Sequence, residues 1–128
     1  MADDQEHRPA GTDPNVVRKL LQHVPLTVNQ TVIVSRGAQV IASRGVLKPV
    51  EAADVAVFIA EGWNDAGQTL RIQFMRLPLS SVARLLLTYP LRGGYQLTLV
   101  DTEEAPLDQW RHLARQLITV LQAAGIGR

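Results

Sequence analysis

Residues 30–45 read QTVIVSRGAQVIASRG, and the order of residue types in that stretch decides the fold. Residues 30–35 and 38–43 are short runs rich in β-branched side chains, and Arg36-Gly37 between them supplies a glycine for the positive φ of a tight turn. The reading is a β-hairpin, closed by Arg44-Gly45. In the first strand, Val32 and Val34 point one way and Ile33 the other, so both faces are covered. In the second, Gln39 and Ser43 mark a polar outer side. Strand one is therefore interior and strand two lies at an edge.

Upstream, Asp13-Pro14 reads as an N-cap followed by proline in the first helical turn. Val16, Val17, Leu20, Leu21 and Val24 then recur at helical spacing until Pro25 ends the pattern. Downstream, a helix is predicted over residues 50–66, with Pro49 near its start and Gly67 just past its end. Three strands follow over residues 69–77, 82–89 and 95–101, separated by Pro78-Leu79-Ser80-Ser81 and Arg92-Gly93-Gly94. The last helix covers residues 106–124, with Trp110, Ala114, Leu117 and Leu121 on its apolar face. Strand four sets Ala83, Leu85, Leu87 and Tyr89 against Val82 and Leu86, and strand five sets Leu97 and Leu99 against Val100, so both are interior. Strand three pairs Leu70, Ile72 and Phe74 with Arg71 and Gln73 and becomes the second edge. The predicted fold is α/β: a three-layer sandwich whose five-stranded antiparallel sheet has the order 2-1-5-4-3, with helices on both faces.

The 128-residue length suits one domain, read here as residues 13–128 behind a flexible tail of residues 1–12. Hydrophobic residues make up 46% and charged residues 20%, which excludes disorder for the bulk of the chain. With no cysteine, disulfides, thiol nucleophiles and cysteine-ligated metals are excluded. Thirteen Lys and Arg against twelve Asp and Glu are too balanced for a nucleic-acid binder that relies on phosphate neutralisation. The tail carries Asp3, Asp4 and Glu6 and no apolar run, unlike a signal peptide, and no window reaches the ~20 apolar residues of a membrane span. A cytoplasmic location without membrane insertion is expected.

The layout, together with QTVIVSRGAQVIASRG and its Ala42-Ser43-Arg44-Gly45 exit, resembles the Roadblock family of dynein-light-chain-like proteins with a profilin-like fold. The resemblance spans residues 13–124. The chain departs from the family's common acidic-glycine turn by carrying Arg36-Gly37-Ala38, which leaves a longin-like or other profilin-like relative open. The resemblance implies a non-enzymatic regulator or scaffold. Family members typically form dimers through their third strands and second helices and engage Ras-like GTPases or larger assemblies, so a homodimer and a GTPase partner are its expectations here.

An independent pointer to such a surface comes from turning the second helix at 100° per residue. Ala52, Ala53, Ala56, Val57, Ile59, Ala60 and Trp63 form the predicted core stripe, while Glu51, Asp54, Glu61 and Asp65 mark the outer face. Phe58 falls among those acids, either as an interface anchor, as a singly exposed phenylalanine, or as a ring tucked beneath a loop by a rotated helix. Beside it, the edge strand offers Leu70, Ile72 and Phe74 as an apolar inner face, with Arg71 and Gln73 on the other and Arg76 at the strand's end. The two arginines either meet the acidic helix face or discourage unwanted strand pairing. These residues together are the candidate dimer or partner interface.

No catalytic, cofactor or metal site is predicted. His7, His23 and His112 have no metal-ligand spacing, and Asp108 with His112, four apart, is read as a solvated helical pair. Arg92-Gly93-Gly94 lies between strands without opening a helix and reads as a hairpin turn. Arg84, among apolar neighbours, is expected either to reach the sheet rim or to pair with a carboxylate, with Glu51, Asp54 or a residue of a binding partner as the candidates. The rival function, from another class, is a profilin-like small-ligand sensing module with a cavity between sheet and helix.

Overall fold

The computed structural model describes residues 13–62, 70–77, 83–102, 104 and 106–127. Its elements are α1 (Pro14–Leu21), β1 (Thr31–Arg36), β2 (Gln39–Gly45), α2 (Pro49–Gly62), β3 (Arg71–Arg76), β4 (Ala83–Pro90), a 3₁₀ turn (Arg92–Gly94), β5 (Tyr95–Asp101) and α3 (Leu107–Ala123). The tail, Trp63, Asp65, the predicted end of the second helix and the link between strands three and four lie outside the described residues.

The strands form one antiparallel sheet in the order β2-β1-β5-β4-β3. Register follows the alternation read from the sequence. Ile33 stands opposite Ser43 and Thr98, and Leu86 lies between Val100 and Gln73. One core, between the sheet and the α1/α3 layer, gathers Val32, Val34, Leu87, Leu97 and Leu99 with Val17, Leu21, Trp110, Leu117 and Leu121. The other, beneath α2, gathers Ile33, Leu86, Val100, Met75 and Leu77 with Ala52, Val55 and Ile59. β1, β4 and β5 feed both cores, which is why they carry apolar residues on both faces.

Local polar chemistry sets the element ends. The Asp13 carboxylate accepts from the Asn15 N–H at 2.9 Å, with Pro14 in the first turn. At the other end of α1, the Arg44 guanidinium donates to the carbonyls of Leu21 (3.3 Å) and Val24 (2.5 Å), a cation on the negative end of a helix. Gln30, buried at the sheet margin, donates to Asp101 Oδ2 at 3.0 Å and accepts from the Thr27 N–H at 2.9 Å, tying the approach to β1 to the end of β5.

Candidate functional site

β3 pairs with β4 alone, and nothing among the described residues occupies its other side. Register corrects the predicted inner face. Ile72 and Phe74 stand opposite Leu87 and Leu85, on the α1/α3 side, and remain 44% and 61% exposed. The side turned to α2 carries Arg71, Gln73 and Met75, of which Met75 is buried. The reason is width. Five strands about 4.8 Å apart outrun two helices packed about 10 Å apart, and α1 and α3 lie against β2 and β5. Leu70, just before β3, packs at the margin of the α1/α3-side core.

Arg71 makes a contact that neither expected role includes. Its guanidinium donates to the Gly62 carbonyl at 2.6 Å, capping the last turn of α2 and fastening the helix to the edge strand. Gln73 is half-buried with an Oε1 that accepts no hydrogen bond, and Arg76 is exposed. The Arg84 Nε is buried and has no hydrogen-bond partner among the described residues.

α2 sits rotated from its predicted orientation. Ala52, Val55, Ala56 and Ile59 are buried, and so is Glu51, assigned to the outer face by its charge. The Glu51 carboxylate accepts from the Lys48 N–H at 3.0 Å, closing the start of the helix as a capping carboxylate does. Phe58 is half-buried against the core beneath α2, as in the rotated-helix reading. Asp54 is half-buried and Glu61 exposed. The outermost stripe is Val50, Ala53 and Val57, with the two valines 54% and 41% exposed. Sequence reasoning assigned Ala53 and Val57 to the core and overlooked Val50. The missed signal was a helix apolar on nearly every side, the pattern of one buried all round.

Other chemistry stays modest. No group of three or more His, Cys, Asp or Glu among the described residues is placed to hold a metal ion. His112 is within 3.2 Å of Gln116 Nε2, which replaces the suggested pairing with Asp108. Burial pushes the Tyr89 hydroxyl above the usual tyrosine range, against the pull of Arg111 and Arg115. No described helix is long and apolar enough to cross a membrane.

No family model and no curated protein matches the sequence. Solved structures do match its shape. A Roadblock/LC7 domain from Streptomyces avermitilis is 19% identical with a TM-score of 0.55, covering 82% of this chain and 90% of its own. The gliding protein MglB from Thermus thermophilus is 18% identical with a TM-score of 0.60, covering 91% and 90%. Myxococcus xanthus MglB is 15% identical with a TM-score of 0.54, covering 87% and 86%. The chain has the Roadblock fold. Within that fold, the candidate surface combines the open edge of β3 with the outer stripe of α2, joined through Arg71 and Gly62.

Proposed function

We propose that this Roadblock-fold chain is a non-enzymatic adaptor or regulator that forms a homodimer and binds a small Ras-like GTPase or a larger NTPase assembly. One observation carries the reading: α2 leaves Val50, Ala53 and Val57 uncovered, and its last turn is tied through Arg71 to a sheet edge that is unpaired among the described residues. A second copy related by a two-fold axis satisfies both at once, extending the sheet through β3 and burying the valine stripes against each other. Each half-exposed valine so buried contributes about 1 kcal/mol. The Roadblock fold supports the GTPase partner through the resemblance described above. In this reading the dimer selects one nucleotide-dependent shape of the partner and needs no catalytic group of its own.

Sedimentation velocity over a wide concentration range on the wild type and Val57→Asp tests the dimer. Binding of both to Ras-like GTPases in GTP and GDP forms tests the partner. The expected result is a wild-type dimer, dissociated by the aspartate, that prefers one nucleotide form. A monomeric wild type overturns the dimer, and equal or absent binding to both forms of every GTPase overturns the regulator. The small-ligand alternative draws on a different feature, the cleft at the end of the sheet.

A further inference from the structure

At the end of the sheet, a cleft of about 330 Å³ opens between the β1–β2 turn, the β4–β5 turn and the last turn of α2. Among the described residues it is lined by Arg36, Arg92, Gly93, Tyr95 and Gln96, with Ala60 as the contribution of α2, and by no carboxylate. Arg36 is held in place. Its Nε donates to the Gly93 carbonyl at 3.0 Å, and its guanidinium carbon lies 5.0 Å from the centre of the Tyr95 ring. The Gly37 N–H donates to the Gly94 carbonyl at 3.2 Å, so the two turns are stitched together on either side of that arginine. These contacts use one guanidinium N–H and leave the outer nitrogens of Arg36 as donors.

Arg92 comes from the facing turn and makes no hydrogen bond or ion pair among the described residues. Gln96 is 94% buried, and its Oε1 accepts from the Ser35 hydroxyl at 3.2 Å, which leaves the amide NH₂ as its donor end. Gly93 is left-handed at φ 79° directly after Arg92 in the 3₁₀ turn, an arrangement in which successive N–H groups converge and gather anions. Two permanent positive charges and turn N–H groups, with no carboxylate among the described lining residues, form a donor set for an oxyanion carrying more than one charge. The sequence alone offered Arg92-Gly93-Gly94 as a bare turn; the fold adds Arg36 from far away in the chain.

We propose that this cleft binds the phosphate group of a small phosphate-bearing ligand. The forked guanidinium of Arg36 and the Arg92 side chain take the phosphate oxygens, and the remaining volume admits part of the group to which the phosphate is esterified. None of its described lining residues belongs to β3 or to the valine stripe, so it stands or falls separately from the dimer.

The test is a titration of the full chain with inorganic phosphate, and in a second arm with phenyl phosphate, at constant ionic strength maintained with chloride. Amide and guanidinium Nε–H NMR shifts are the readout. Saturable shifts confined to residues 36–38 and 92–96 are expected, with apparent affinity reduced at least tenfold in Arg92→Ala and in Arg36→Lys, which keeps the charge and loses the fork. Arg92→Ala removes no hydrogen bond or ion pair among the described residues and keeps the test valid if Arg36→Lys perturbs folding. Shifts that rise linearly without saturating, that spread equally over Arg18, Lys19, Arg111 and Arg115, or that persist unchanged in Arg92→Ala overturn the proposal. Tighter binding of phenyl phosphate than of inorganic phosphate assigns the site to phosphate esters; equal or weaker binding overturns that part and leaves a site for the free ion.

Discussion

Ser-Arg-Gly occurs twice in the first hairpin, at residues 35–37 and 43–45, and the fold gives the copies different work. Arg36 stacks on Tyr95 and bonds Gly93, whereas Arg44 caps α1. The two glycines differ more sharply. Gly37 has φ 59° with nothing within 4 Å of where a Cβ would stand, so a side chain there meets only the left-handed backbone penalty, about 1 kcal/mol and less for asparagine. Gly45 has φ 138°, and a Cβ there would lie 2.3 Å from the Gln30 carbonyl oxygen and 2.5 Å from the Thr31 Cα, both backbone atoms that cannot swing aside. Gly45→Ala is therefore expected to lower the unfolding free energy by about 3 kcal/mol or more, and Gly37→Asn by under about 1 kcal/mol. Urea denaturation of the two variants checks this, and a Gly45→Ala protein as stable as Gly37→Asn refutes the close approach.

At the scale of elements, α2 separates what the sequence discloses from what it hides. Its existence, its start at Pro49 and its packing on the sheet were legible from apolar spacing and proline. So were the strand order and both edges, because Gln39, Ser43, Arg71 and Gln73 interrupt patterns that the interior strands keep apolar. The helix rotation was not legible. With alanine and valine on almost every side, periodicity names no single inner face, and the charge of Glu51 pointed outward when its hydrogen bond to Lys48 holds it in. Pocket-forming residues were invisible for another reason: Arg36 and Arg92 meet only once β1 and β4 are joined through β5. The rotation makes a prediction opposite to the one from charge alone. In dilute monomer, Phe58→Ala is expected to cost about 2 kcal/mol, part of the full cost of removing a buried ring, and Val57→Ala within about 0.5 kcal/mol. Denaturant melts at low protein concentration measure both; a larger loss for Val57→Ala would restore the helix to its predicted orientation.

For the whole molecule, the decisive feature is that one sheet supports two cores. Neighbouring residues of single strands enter opposite layers: Val32 and Ile33 in β1, Leu86 and Leu87 in β4, Leu99 and Val100 in β5. A cavity on one side therefore loosens strands that the other side also needs, and the chain is expected to unfold as one cooperative unit although its helical layers lie on opposite faces of the sheet. Trp110 offers a local reporter, being buried only in the α1/α3-side core. With Trp63 replaced by phenylalanine so that Trp110 alone fluoresces, Ile59→Ala in the opposite layer is expected to remove about 2 to 4 kcal/mol. Fluorescence from Trp110 and far-UV circular dichroism should then shift together to one lower midpoint. An unshifted fluorescence transition beside a destabilised circular-dichroism transition would mean that the α2 layer melts independently. Within the proposed dimer, that outcome would also make α2 a helix ordered mainly by its second copy, and its midpoint would climb with protein concentration while that of Trp110 stayed fixed.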